Sequence, residues 1–321
     1  MIPLMVNYIK EQTHNRNINN VTRTKAYLQF YNENPEIKWA FLANIVSRNA
    51  GWNMTDLYSE AYQSLLSEKQ LKSLYLTYES INWYIFQDAY PQLLIYKMSK
   101  EQQKPLFFLF KYFHISSFME REWYEFYQNR DLNRLMYSQI VNEQNIIQQP
   151  IIKHNPYRQT VFKSLPYRLQ ELLHLNAVLL PTEQGKVYGE FVPHFTHVSK
   201  RIKFGKVIAA ILFYPYLYPL FHSFANNVPI TGERKEYEQF LNIQSPLTTK
   251  PLTDIYRNTE HEITVPQSDW SNYTKIKRKW WKEPKLKSIE PFADEFYEKR
   301  NQMTKISSIK NKLIPSRVEK E

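Results

Sequence analysis

The sequence predicts an all-α protein, with a single multi-helix, bundle-like domain and a basic C-terminal tail. Capping residues and Pro or Gly stops recur around segments with the apolar spacing of a helix. No segment alternates apolar and polar residues on both sides of a two-residue turn. Only 5 of the 321 residues are Gly, which leaves few positions for tight hairpin turns. We therefore expect no β-sheet.

Local signals place the first helices. Asn34 and Pro35 supply an N-cap and a first-turn proline, which predicts a helix to about residue 49. Gly51 is expected to stop this helix, because glycine favours helix ends. Thr55 and Asp56 then begin the next helix.

The later helices follow from similar signals. Ser67 and Gln70 form a capping box for a long helix that runs through Asp88 to Tyr96. Pro91 within it leaves one carbonyl without its helical donor. Further helices are predicted at about 115–129, 132–148, 167–177, 197–213 and 232–241.

The C-terminal part of the chain differs in composition from the rest. Residues 246–270 are rich in Pro, Thr and Ser, which is typical of a linker. We therefore predict a helical domain over 1–245, a linker over 246–270, and a basic helical or disordered tail over 271–321. The formal net charge is +11, and most of the excess lies in that tail.

The composition of the tail suggests an anionic partner. Basic residues beside two Trp fit nucleic acid or an anionic membrane surface, and the sequence does not choose between them. A solvated tail whose Trp pair packs back on the body is the alternative. The candidate binding residues are Lys275, Lys277, Arg278, Lys279, Trp280, Trp281 and Lys282.

The chain lacks several common signatures. Without any Cys it has no disulfides, no Cys-ligated zinc, no iron–sulfur cluster and no thiol nucleophile. No G-x-G-x-x-G, G-x-x-x-x-G-K-[ST] or G-x-S-x-G motif occurs, so the common nucleotide-binding and hydrolase signatures are missing. Glu171 and His174 make one Glu-x-x-His pair, and His194 and His197 share a helical spacing, but no HExxH accompanies them. We therefore expect neither a metal nor a cofactor.

One uncharged segment, Val207–Ala225, is long enough to just cross a membrane. Pro215 and Pro219 each remove a helix hydrogen bond, so we predict a kinked core hairpin, with peripheral membrane contact as the alternative and no transmembrane span.

The N-terminus lacks the basic and apolar regions of a signal peptide. We expect a cytoplasmic protein, at most peripheral to the membrane.

Polar residues interrupt helices that are otherwise apolar. The helix after Pro35 is apolar on nearly every face, yet Asn44, Ser47 and Arg48 form a polar stripe on it. Asp88 and Glu143 likewise lie among apolar residues of their helices.

Such carboxylates need a partner or a proton if they are buried, and Arg48 and Arg23 are the candidate partners of Glu143 and Asp88. One interpretation is an ion-pair network that fixes helix register. The other is a polar pocket in which the carboxylates act as acid and base or bind a ligand. The candidate residues are Arg23, Arg48, Asn49, Asn53, Asp56, Asp88, His114, Glu143 and Asn145.

Several segments resemble a known family. The similarity is carried by Asn20–Thr24, Trp39–Ala40, Ser47–Leu57, Asp88–Gln92, His114–Met119, Asn142–Asn145, Thr231–Gly232 and Arg234. In this order they resemble the YppC-like family of bacterial proteins, a domain of unknown function, over about residues 15–245. The resemblance implies a bacterial cytoplasmic protein and no particular chemistry.

Three functional hypotheses follow. The first is a non-enzymatic helical binding or scaffold protein with an internal polar network and a basic tail for an anionic partner, an unidentified protein included. The second is an enzyme or small-ligand receptor with a polar pocket inside the bundle. The third is a peripheral membrane protein.

Overall fold

The fold is mostly helical, as predicted. The computed structural model describes residues 2–153, 177–192, 196–242, 249–261, 268–286 and 288–313. The α-helices are α1 (Ile2–Arg16), α2 (Asn20–Glu33), α3 (Lys38–Asp56), α4 (Glu60–Leu65), α5 (Glu68–Glu101), α6 (Ser117–Asn129), α7 (Leu132–Ile146), α8 (Val198–Leu212), α9 (Tyr218–Asn227), α10 (Lys235–Glu238), α11 (Leu252–Ile255) and α12 (Ala293–Leu313). Shorter helical turns lie at Phe107–Phe113, Gln148–Ile152, Trp270–Asn272 and Arg278–Trp280.

Helix α3 lies at the centre and contacts α2, α5, α7 and α8. Its predicted start was wrong, because Asn34 caps the C-terminus of α2 and α3 begins only at Lys38. Its predicted stop was also wrong, since the helix continues through Gly51. A Cβ at Gly51 would lie 2.7 Å from Asn20 Oδ1 and 3.2 Å from Gly232 Cα. Glycine therefore serves close packing here.

Most of the later helix predictions are confirmed. The Ser67–Gln70 capping box begins α5, which runs through Pro91 without a break. Ser116 caps α6 by accepting a hydrogen bond from Met119 N. Helices α7 and α8 lie close to their predicted ranges. The Thr55–Asp56 start was wrong because both residues belong to the last turn of α3.

The prediction of no sheet was wrong. Strands β1 (Ala177–Pro181) and β2 (Val187–Phe191) pair antiparallel, with Leu179 opposite Gly189. All five residues of β1 are buried, so the strand shows no alternation of apolar and polar residues. The predicted helix at 167–177 lies outside the described residues, apart from its last residue, which begins β1.

The uncharged segment Val207–Ala225 forms a kinked helical hairpin, as predicted. Helix α8 ends at Leu212, Pro215 lies exposed in the turn, and α9 follows. Phe221 and Phe224 on α9 are buried against the body. Among the described residues, no helix has the length and apolar character needed to cross a membrane.

Part of the C-terminal region packs on the helical body. Trp280 is 5% exposed and belongs to the main hydrophobic core. Phe296 and Arg300 on α12 are buried, and α12 packs on α4. Residues 243–248, 262–267 and 314–321 are outside the described ranges, and the division into domain, linker and tail stays a prediction.

Candidate functional site

A cavity of about 560 Å³ opens between α5, α7, the start of α8 and residues 268–280. We call it the Asp88 cavity. Its volume is within the range of about 300–1,000 Å³ found for small-molecule sites. The polar residues that line it are Asp88, His114, Ser116, Asn145, Gln148, Gln149, Lys153, His197, Ser199, Ser268, Asp269, Thr274 and Lys277, and the aromatic residues are Trp270, Tyr273 and Trp280.

Asp88 is the carboxyl group at the base of this cavity. Asp88 lies on α5 and is buried, with 4% of the residue exposed. Its Oδ2 accepts hydrogen bonds from Gln92 Nε2 at 2.7 Å and Asn142 Nδ2 at 2.6 Å. No described residue donates a hydrogen bond to Oδ1. Asp88 therefore keeps one oxygen available to whatever enters the cavity.

Burial raises the pKa of Asp88 to about 7, and the negative charge of Asp269 adds to this effect. The hydrogen bonds from Asn142 and Gln92 oppose the rise because they stabilise the carboxylate. Near neutral pH the carboxyl group is therefore present in both protonation states. It can donate a hydrogen bond to a ligand when neutral and accept one when charged.

A network of side chains holds the two donors to Asp88 in place. Gln92 Oε1 accepts hydrogen bonds from Trp123 Nε1 at 2.8 Å and Gln139 Nε2 at 2.9 Å. Asn142 Oδ1 accepts one from Trp270 Nε1 at 2.8 Å and one from Ser116 Oγ at 3.1 Å. These bonds orient both amides so that their N–H groups point at Asp88.

Asp269 is the second carboxyl group of the cavity. Its Oδ2 accepts a hydrogen bond from the backbone N–H of Ser117 at 2.8 Å, and its Oδ1 accepts one from the Ser271 hydroxyl at 2.6 Å. Burial opposes the charge, but the hydrogen bonds from Ser271 and Ser117 outweigh it and lower the pKa of Asp269. The cavity thus holds two carboxyl groups whose pKa values are shifted in opposite directions.

Lys206 attaches the C-terminal wall of the cavity to α8. This lysine is 6% exposed, and its Nζ donates to the carbonyl oxygens of Trp280 at 3.0 Å, Lys279 at 3.4 Å and Lys282. Trp280 packs beside Trp270, with ring centroids 6.4 Å apart. The wall is therefore fixed both by apolar packing and by a buried ammonium group.

The predicted basic segment divides into two kinds of residue. Trp280 faces the protein interior, and Trp281 is partly buried with its Nε1 donating to Ser138 Oγ at 2.9 Å. These indoles are thus engaged with the body and do not stand free for a partner. The basic side chains are exposed, and they are Lys275, Lys277, Arg278, Lys279 and Lys282.

The predicted pairing of Arg48 with Glu143 was wrong. Arg48 forms a buried ion pair with Glu236, and its NH2 also donates to Val228 O at 2.9 Å. Glu143 instead accepts hydrogen bonds from Trp39 Nε1 at 3.1 Å and from the side chain of the residue that follows it. The two side chains of the predicted pair serve different parts of the fold.

The predicted pairing of Arg23 with Asp88 was also wrong. Arg23 NH2 lies 2.5 Å from Glu79 Oε1, and both side chains are almost fully buried. Asp88 has amide partners and no ion pair among the described residues. The sequence could not exclude this exchange, because Glu79 lies on the same helix as Asp88, about two and a half turns earlier.

Asn53 and Asp56 take part in an ion-pair and hydrogen-bond network that holds elements of the fold together. Arg234 Nε binds both oxygens of Asp56, at 2.8 and 2.7 Å, and Arg234 NH2 donates to Asn53 Oδ1 at 3.0 Å. Asn49 exchanges two hydrogen bonds with the backbone of Leu179 in β1. These side chains tie the end of α3 to α10 and to the hairpin.

The candidate residues therefore fall into groups and do not form one site. Asp88, His114 and Asn145 line the Asp88 cavity. Asn49, Asn53 and Glu143 line a second, smaller cavity. Arg23, Arg48 and Asp56 form buried ion pairs.

Sequence reasoning missed several residues that build the Asp88 cavity. Gln92 and Asn142 are neutral amides, and their role depends on contacts between α5 and α7. Asp269 and Trp270 lie in the predicted linker, where composition suggested no structure. A local signal existed, because Asp269 precedes a short turn that its side chain caps through Ser271 N.

The described residues contain no group of three or more His, Cys, Asp or Glu side chains that could hold a metal ion. His197 lines the Asp88 cavity, whereas Glu171, His174 and His194 lie outside the described residues.

The comparisons with known proteins agree on a family. The model of the family described as "Protein of unknown function (DUF2515)" matches residues 15–303. "Uncharacterized protein YppC" from Bacillus subtilis (strain 168) is 40% identical over 309 residues, which cover 96% of each chain. No solved structure matches the chain. These matches confirm the resemblance to YppC-like proteins and extend it beyond residue 245.

Proposed function

We propose that this chain, which belongs to the DUF2515 family of proteins of unknown function, binds a small polar ligand in the Asp88 cavity. The observation that carries the proposal is the Asp88 carboxyl group, which is 4% exposed, lines the cavity and has an oxygen without a partner among the described residues. A ligand that enters the cavity can hydrogen-bond to Oδ1, as acceptor from the neutral acid or as donor to the carboxylate.

The lining of the cavity indicates what the ligand carries. Hydroxyl and amide groups such as those of Ser116 and Asn145 favour a ligand with several hydrogen-bonding groups. Lys153 and Lys277 line the cavity and are exposed, so they favour an anionic group at the entrance. Tyr273, which is 81% exposed, supplies a free ring beside them.

A thermal-shift screen of polar metabolites tests this proposal. We expect some compounds to stabilise the wild-type protein, and to stabilise Ser199→Trp much less because the indole fills the cavity. Lys200→Trp is the matched control, since residue 200 is exposed on the same turn of α8 but does not line the cavity. The proposal is refuted if the stabilising compounds act equally on all three proteins, or if no compound in the screen stabilises the wild type.

A second candidate function is acid–base catalysis in the same cavity. The observation that favours it is the pair of carboxyl groups, because Asp88 has a raised pKa and Asp269 a lowered one. Such a pair provides one group that holds a proton and one that stays charged near neutral pH. NMR of a bound metabolite incubated with the protein would show turnover, and Asp88→Asn would abolish it. If the metabolite stays chemically unchanged, catalysis is refuted and only ligand binding remains as the function of the cavity.

The exposed basic residues support a further candidate, contact with an anionic surface by a cytoplasmic protein. We propose that the basic C-terminal segment, anchored by Trp280, presents side chains such as Arg278 and Lys279 outward. Arg278→Glu with Lys279→Glu should lose co-sedimentation with phosphatidylserine vesicles. Lys69→Glu with Lys72→Glu, at exposed positions on α5, is the control of equal charge. Equal loss in both variants, or no sedimentation of the wild type, would contradict this candidate.

A further inference from the structure

A second cavity, of about 170 Å³, lies beside α7 and is bounded by α3, α5, β1 and α8. We call it the Val46 cavity. It shares no lining residue with the Asp88 cavity among the described residues. Apolar side chains supply most of its wall, among them Val46, Leu74, Ile81, Ile85, Phe204 and Ile208.

Val46 shows that this cavity reaches the central helix. The residue is 39% exposed, whereas its neighbours Ile45 and Ser47 are 2% and 3% exposed. Helix α3 is otherwise buried along most of its length. Removing apolar surface from water stabilises a protein by about 25 cal/mol per Å². An apolar occupant that covers Val46 would therefore bind favourably.

The polar groups on the wall already have partners. Both oxygens of Glu143 accept hydrogen bonds, from Trp39 Nε1 at 3.1 Å and from Gln144 Nε2 at 2.8 Å. The Asn49 side chain is satisfied by the backbone of Ile45 and Leu179. The Arg201 guanidinium, which also lines the cavity, donates to Gln144 Oε1 at 2.7 Å and to Gln148 Oε1 at 2.8 Å. The cavity therefore offers an occupant apolar contact and few unsatisfied polar groups.

We propose that the Val46 cavity is a binding site for a small, uncharged, mainly apolar molecule about the size of benzene. A dry cavity of about 150 Å³ lined by aliphatic and aromatic residues is known to hold benzene. A charged molecule of the same size is disfavoured, because it would lose its hydration while the charged groups on the wall, Glu143 and Arg201, already have hydrogen-bond partners. This site goes beyond the proposed function, since the ligand of the Asp88 cavity is polar.

The test uses benzene as the probe and benzoate as its charged counterpart. The reporter is the indole N–H signal of Trp39 in ¹⁵N NMR spectra, because this group donates to Glu143 on the cavity wall. Benzene should shift this signal with saturation, and benzoate should not. The absence of a saturable shift with benzene, or an equal shift with benzoate, would overturn the proposal.

Two variants separate the cavity from general surface binding. Val46→Phe fills the cavity and should weaken benzene binding by at least about tenfold, or about 1.4 kcal/mol. Ile18→Phe, at a residue of 40% exposure that does not line the cavity, should bind as the wild type does. Equal binding by Val46→Phe would contradict the site.

A crystal soaked with benzene makes the test independent of the variants. Electron density for benzene against Val46 and Ile81 would support the site even if Val46→Phe failed to fold. Density at other positions only, with none in this cavity, would overturn it.

Discussion

Replacing Asp88 with Asn removes a titratable group from the base of the Asp88 cavity while it preserves the shape of the side chain. The carboxyl has an ordinary pKa of 3.8 and a folded-state pKa of about 7. The folded protein therefore binds the proton more tightly than the unfolded chain does. A carboxyl with a raised pKa gives its full stability below pH 3.8, and this contribution is lost as the pH rises to about 7.

The size of the effect follows from the shift. Relative to a side chain that stays neutral, Asp88 lowers the free energy of unfolding by about 2 kcal/mol at pH 5 and about 4 kcal/mol at pH 8. The stability of Asp88→Asn relative to the wild type should thus improve by about 2–3 kcal/mol between these pH values. Any pH-independent effect of the substitution cancels in this difference.

Urea unfolding at pH 5 and pH 8 measures both free energies. Asp254→Asn is the control, because that carboxyl is exposed, and its relative stability should change little between the two pH values. A relative stability of Asp88→Asn that stays constant within about 0.5 kcal/mol would refute the reasoning. It would show that the Asp88 carboxyl is solvated in the folded protein.

Three further substitutions test the supports of the fold. Lys206→Met should cost about 2 kcal/mol in chemical unfolding and shift the indole N–H signal of Trp280 in ¹⁵N NMR spectra, because the lysine no longer holds the Trp280 carbonyl. An unchanged Trp280 signal would contradict the anchor. Arg48→Met leaves the buried Glu236 carboxylate without its counter-charge, so it should cost about 3–5 kcal/mol, and adding Glu236→Gln should restore part of that. Strictly additive losses would contradict the pairing. Gly189→Ala should lower the melting temperature, because φ is +147° and the added Cβ would lie 2.1 Å from the Val178 carbonyl; an unchanged melting temperature would argue against this hairpin geometry.

The sequence predicts helices well where a cap and an apolar stripe agree. Ser67 with Gln70 marks a helix start that the structure confirms, because a cap is a local interaction. Asn34 misled the prediction, since an Asn can end one helix as readily as begin another. The hairpin was missed because β1 is buried on both faces and has no period-two pattern.

The candidate site could be predicted only in part. Asp88 and Glu143 were identified because a carboxyl group on an apolar helix face is unfavourable without compensation. The partners could not be predicted, since tertiary contacts between distant segments decide that Arg23 pairs with Glu79, that Arg48 pairs with Glu236 and that Asp88 binds amides. Asp269 shows the same limit, because its contact with Ser117 spans much of the chain.

The central claim is that the Asp88 carboxyl group binds a polar ligand inside its cavity. Isothermal titration of the metabolite that most stabilises the wild type, against the wild type and Asp88→Asn at one pH, tests it most directly. We expect at least about tenfold weaker binding by Asp88→Asn, because the ligand loses a charged or acidic hydrogen-bond partner. Equal affinity for the two proteins would contradict it.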